Sequence, residues 1–174
     1  MDAIERLIDA FTARPAVSVY RKLDVLLDLE RLQDPRIVPF LLRVLQDGHE
    51  PLAVRSRIIR LLRAGTGPRA ARADVAGALV AVLAEPASPE LRVAAALALA
   101  EFGEVPGVAA ALGALALAPA EPLDLRYSAF TALGQAGPSA ERAALLRQLA
   151  SDETLGQAAR SLLARWPQQG DEAW

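Results

Sequence analysis

Few residues in this 174-residue chain could do chemistry, and most are arginines. Cysteine is absent, which excludes disulfides, thiolate metal sites and cysteine nucleophiles. The single histidine, His49, stands in a polar turn, QDGHEP, where it reads as a surface residue rather than a base or metal ligand. Carboxylate neighbours such as Asp152-Glu153 fall between predicted helices, where capping the next helix explains them. Asp24 and Asp28, one turn apart near Arg21 and Lys22, read as a solvated ion-pair face. There is no GxSxG, no P-loop and no GxGxxG after a strand. No catalytic residue, cofactor or metal ligand is therefore assigned. What remains is the run VRSRIIRLLRAG at 54–65, which carries Arg55, Arg57, Arg60 and Arg63. Four bases so close together could neutralise an acidic partner.

The elements that hold these arginines recur. VRSRIIRLLRAG (54–65), LRVAAALALAEFG (91–103) and LRYSAFTALGQAG (125–137) align, with a looser copy, LGQAARSLLARW, at 155–166 and a weaker first copy, VYRKLDVLLDL, at 19–29. Arg55, Arg92 and Arg126 share one register, 37 and 34 residues apart, and Gly156 takes that place in the last copy. Each copy has an apolar period near 3.6, so each is an amphipathic helix. Gly65, Gly103 and Gly137 close three copies as predicted left-handed stops. A second amphipathic helix precedes each copy: 4–11, 34–46, 73–84, 106–117 and 139–150. The sequence thus predicts an all-α chain of about five antiparallel helix pairs over residues 1–166, the signature of an α-solenoid, with a flexible tail at 167–174. Apolar residues reach 53% with only 5% aromatics, which fits closely packed helices rather than a β-sandwich.

Over roughly residues 34–166 the chain resembles the HEAT-repeat family of armadillo-type solenoids, in its short bacterial form. LRYSAFTALGQAG is the nearest match and LRVAAALALAEFG the next. The resemblance implies a right-handed superhelix and a non-catalytic interaction scaffold. A minority of such proteins handle bilin chromophores or excise alkylated bases, so a small enzyme or enzyme subunit is the alternative. The resemblance also implies a ladder of acid–arginine pairs between neighbouring repeats. Arg55, Arg92 and Arg126 are its candidates, each preceded by loop acids: Asp47 or Glu50, Glu90, and Asp124.

At about 100° per residue, Arg55 falls inside the apolar arc of its helix, while Arg57, Arg60 and Arg63 fall opposite. That opposite arc of the second helices should line the concave face of a solenoid, where a partner would sit. Copy by copy it offers Arg21, Lys22 and Val25; Arg57, Arg60 and Arg63; Val93, Ala94 and Leu97; Tyr127, Ser128, Thr131 and Gln135; and Gln157, Ser161 and Arg165. A basic end runs through an apolar centre to a polar end that bears Tyr127. Residues 1–72 carry a net charge of +4 and residues 73–174 a net of −6, an asymmetry that suggests a directional surface. The same arginines could equally be a solvated stripe.

The overall formal charge of −2 argues against a dedicated nucleic-acid binder, as does having Tyr127 as the one aromatic in the groove. The expected partner is a protein with an acidic and an apolar segment. The chain itself would be a monomer or a weak homo-oligomer. The N-terminus lacks a signal-peptide pattern and no apolar run suffices to span a bilayer, so a cytoplasmic protein is expected. Trp166 should cover the end of the core. Trp174 is either disordered or docked on a neighbour.

Overall fold

The computed structural model describes residues 1–13, 16–65, 68–86 and 88–167; Trp174 and most of the expected tail lie outside them. Every regular element among these residues is helical. In chain order they are α1 (Ala3–Thr12), α2 (Val19–Leu32), α3 (Ile37–Gln46), α4 (Leu52–Arg63), α5 (Arg72–Leu83), α6 (Pro89–Ala98), α7 (Val108–Leu117), α8 (Leu123–Gln135), α9 (Ala140–Leu149) and α10 (Gly156–Arg165). Short 3₁₀ turns precede α5 (Arg69–Ala71) and extend α6 (Leu99–Phe102). The ten helices match the ten expected from periodicity, with ends displaced by a few residues. Four of the ten starts carry a side-chain cap. Asp2 and Glu5 form a capping box on α1, and Ser18, Ser88 and Ser139 cap α2, α6 and α9.

Packing follows a regular scheme. Each odd helix packs on the even helix after it. Among the odd helices α3 touches α5, α5 touches α7 and α7 touches α9; among the even ones α2 touches α4, α4 touches α6 and α6 touches α8. One hydrophobic cluster runs through all five pairs. Its register is marked by one base near the start of α2, α4, α6 and α8: Lys22, Arg55, Arg92 and Arg126. Three residues on come Val25, Ile58, Ala95 and Ala129; seven on come Leu29, Leu62, Leu99 and Leu133. All eight are buried to within 1% of full exclusion. Val25 therefore belongs to the core and not to the open face, because register with the later copies, rather than the wheel of an isolated helix, sets its direction.

Small residues let the later pairs approach closely. A Cβ built on Gly113 of α7 would lie 2.5 Å from Leu145 of α9. Gly65 and Gly137 adopt φ of +84°, as expected of helix stops. Gly103 does not: its φ is −61°, and the chain turns there through the 3₁₀ segment instead. Its constraint is spatial, since a Cβ at Gly103 would sit 2.6 Å from the Ala136 Cβ and its carbonyl accepts from Arg142. Trp166 packs half-buried against the end of the core.

Candidate interaction face

A ladder of ion pairs stitches the pairs together and fixes which side chains remain open. Arg55 of α4 donates Nε to the Leu45 carbonyl at the end of α3 (2.8 Å) and a terminal nitrogen to Glu85 (2.6 Å). Arg92 of α6 repeats this with the Leu83 carbonyl (2.7 Å) and holds both Glu121 oxygens, at 2.8 and 2.9 Å. Arg126 of α8 repeats it again with the Ala116 carbonyl (2.9 Å) and Asp152. Each arginine thus satisfies an orphan carbonyl of its own pair and a carboxylate in the loop of the next pair. The acids differ from those expected. Glu90, Asp124 and Asp47 take no part; the partners lie about 30 residues downstream, since the ladder runs forward into the next repeat. Glu50 does belong to it, as the partner of Lys22 at 2.7 Å.

Lys22 is consequently not an open-face residue. It forms the first rung and lies 4.8 Å above the Phe11 ring. In α10, where Gly156 stands in the ladder register, Arg160 supplies the bond to the preceding carbonyl, Ala150 O. Gly156 is the residue the close contact requires, because a Cβ there would lie 2.7 Å from that same oxygen.

The ladder acids are tuned by these contacts. Arg92 holds the Glu121 carboxyl below its ordinary value. Asp152 is lowered first by the backbone N–H of Leu155, then by that of Thr154 and by Arg126. Asp152 thus caps the start of α10, as its place in a turn suggests, and also closes the last rung.

The open side of the even helices carries most of the other predicted residues, but their chemistry is altered. Arg57 is engaged with Glu30 of α2 at 2.5 Å, and Arg63 lies 4.0 Å from Glu101. Arg60, between them, is exposed and makes no ion pair among the described residues, as does Arg21. A wheel drawn on one helix could not reveal Glu30 or Glu101, which come from neighbouring repeats. Five residues beyond each ladder base stand Leu27, Arg60, Leu97 and Thr131, on α2, α4, α6 and α8; one residue beyond stand Leu23, Ser56, Val93 and Tyr127. Leu27 and Tyr127 are 39% and 48% exposed, while Val93, Leu97 and Thr131 are half-buried. Tyr127 is steadied edge-to-face by Phe130 at 6.0 Å. Gln135 is exposed at the end of α8. Tyr20 and Leu123, 83% and 51% exposed, join this rim and carried no sequence signal beyond being large apolar side chains on second helices.

His49 is fully exposed, with Nδ1 3.2 Å from Asp47. No three potential metal ligands converge among the described residues, and none of their helices is long and apolar enough to cross a membrane. A cavity of about 510 Å³ between the end of α4 and the start of α5 is lined by Leu62, Val75, Arg72, Phe102 and Glu104, among others. Its arginine is already engaged: Arg72 stacks 4.6 Å over Phe102 and holds Glu104 at 2.5 Å. Fold and face together define an all-helical array of paired helices whose ionisable groups mostly pair with one another. No family model and no curated protein matches the chain.

Proposed function

We propose that the chain is a HEAT-like, right-handed α-solenoid that acts as a non-catalytic protein-binding module. The even helices form its concave face. The chain serves as an adaptor, assembly factor or regulator, and its partner contributes an acidic residue flanked by apolar ones. The single observation that carries this reading is the row Leu27, Arg60, Leu97 and Thr131, which gives α2, α4, α6 and α8 one side chain each in the same register on the open side. Within it the one cation left unpaired, Arg60, lies between apolar neighbours, and Val93 and Tyr127 widen the apolar part.

The internal pairing of Arg57 and Arg63 narrows the electrostatic contribution to Arg60, with Arg21 at the edge. A single charge beside half-buried apolar groups suits recognition of a short protein segment better than a polyanion, whose backbone needs many neutralising contacts. Tyr127, braced by Phe130, has the character of an anchor residue.

Selection from a random peptide library displayed on phage tests the reading without knowledge of the natural partner. Peptides enriched on the wild-type chain should share an acidic residue with apolar neighbours, and the enrichment should vanish on Arg60→Glu/Leu97→Glu. Equal enrichment on both proteins would overturn the assignment of this face.

A further inference from the structure

The last rung of the ladder is only half made. Arg55, Arg92 and Arg126 each bond a carbonyl nine or ten residues back and a carboxylate 26–30 residues on. Arg160 bonds the Ala150 carbonyl, ten residues back. It does so from one helical turn beyond Gly156, which stands in the ladder register. Arg160 makes no ion pair among the described residues, so it has the carbonyl half of the pattern without the carboxylate half.

The same end of the array is the least covered. Four residues beyond the ladder register stand Leu26, Ile59 and Ala96, none more than 2% exposed, and the half-buried Phe130; in α10 this place is taken by Arg160, which is exposed. Seven residues beyond stand Leu29, Leu62, Leu99 and Leu133, none more than 1% exposed, whereas Leu163 is half-buried. Arg147 lines a shallow pocket with Leu163, Trp166 and Pro167. Arg147 and Arg165 are exposed and make no ion pair among the described residues. Against these three arginines stand two unpaired acids, Glu141 and Glu153, because Asp152 is already held by Arg126.

We propose that the segment after Pro167 folds back along α10 and that Glu172 completes the rung of Arg160. The only acids after Arg160 in the sequence are Asp171 and Glu172, an acidic stretch for a basic end. Reach chooses between them. A Cβ built on Gly156 would lie 3.3 Å from a terminal nitrogen of Arg160, so the guanidinium lies beside the first residue of α10. Pro167 stands eleven residues further on, about 16 Å away at a rise of about 1.5 Å per residue. Running back in extended form, Glu172 lies up to about 17 Å from Pro167 and Asp171 up to about 14 Å. Glu172 spans the distance and Asp171 stops short of it. The returning segment also shields Leu163 and Trp166, as the end of a stacked array requires. Arg60 lies three even helices away, at about 10 Å per step, beyond the reach of these acids. The interaction face around it therefore stays open.

The absence of cysteine allows a direct test, since Ala173→Cys accepts a single nitroxide label beside Glu172. In amide spectra of the labelled chain, signals around Gly156 and Arg160 should broaden. These lie about 15 Å beyond the signals near Arg165 and Trp166 that an undocked segment would affect. Arg160→Met and Glu172→Gln should each abolish the broadening around Gly156, and Glu153→Gln should leave it intact. Glu172→Gln should also lower the melting temperature of the unlabelled parent by about 2 °C and leave that of Arg160→Met unchanged. Broadening confined to Arg165 and Trp166, a pattern indifferent to Arg160→Met, or broadening centred on Leu97 and Tyr127 would overturn the proposal. So would broadening at Gly156 when only a second, isotopically silent copy carries the label, because the contact would then lie between chains.

Discussion

Replacing Arg126 with methionine isolates the contribution of one ladder rung. The side chain is 6% exposed, and methionine keeps most of its apolar stem, so little cavity is created. Two interactions disappear. The first is the Nε–H donated to the Ala116 carbonyl at 2.9 Å, which belongs to the last turn of α7 and has no acceptor role inside its own helix. The second is the pair with Asp152. Asp152 is not orphaned, because it still accepts the N–H groups of Thr154 and Leu155, both at 2.9 Å. The loss is then that of a charge-assisted bond plus a poorly satisfied carbonyl, together about 2–3 kcal/mol. In a chain of this size that corresponds to a melting temperature lower by about 4–10 °C. Urea and thermal unfolding followed by far-ultraviolet circular dichroism measure it. Arg31→Met is the control: its pair with Asp28 is 69% and 51% exposed, and its loss should stay within about 0.5 kcal/mol. If Arg126→Met costs no more than Arg31→Met, the ladder does not tie the repeats together.

Acid should weaken the same ladder. Glu121 and Asp152 are both held below their ordinary values of 4.5 and 3.8, so their stabilisation is present above those values and is lost as pH falls through the folded ones. The melting temperature should therefore drop between pH 5 and pH 3, with a shallower slope in Arg92→Met; a flat profile contradicts this. Gly65→Ala places a Cβ at φ +84° and should destabilise by about 1–2 kcal/mol, whereas Gly48→Ala, with open space around it, should be nearly neutral in the same melts. Gly103→Ala would drive a Cβ to 2.6 Å from that of Ala136, a crowding cost of about 1–3 kcal/mol readable as a lower urea midpoint. Leu99→Ala empties a fully buried site and should cost about 2–5 kcal/mol.

Much of the architecture was legible because the periodic signal was strong. Ten apolar stripes near a period of 3.6 gave ten helices, and the shared register of Arg55, Arg92 and Arg126 marked residues that turned out to share a bonding pattern. Three things were not legible, for one physical reason: each depends on a neighbouring repeat rather than on the helix being read. The carboxylates that pair with the ladder arginines lie 26–30 residues downstream, so inspecting the preceding loop chose wrongly. Glu30 and Glu101 approach Arg57 and Arg63 from adjacent helices, so a stripe of three bases became one unpaired base. Gly103, read as a helix stop, is instead small because Ala136 presses against it. Lys22 could have been found in advance, since aligning Leu29 with Leu62 places it in the ladder register.

The face around Arg60 is tested most directly by fluorescence anisotropy with the strongest peptide from the wild-type selection. Titrations would use wild-type protein, Arg60→Glu, Leu97→Glu and, as a control on the odd-helix side, Arg43→Glu. Each even-helix variant should bind at least tenfold more weakly, by about 1.4 kcal/mol. The salt dependence should disappear in Arg60→Glu, and Arg43→Glu should keep the parent affinity. Affinity and salt dependence that are equal across all four proteins would contradict the assignment of this face.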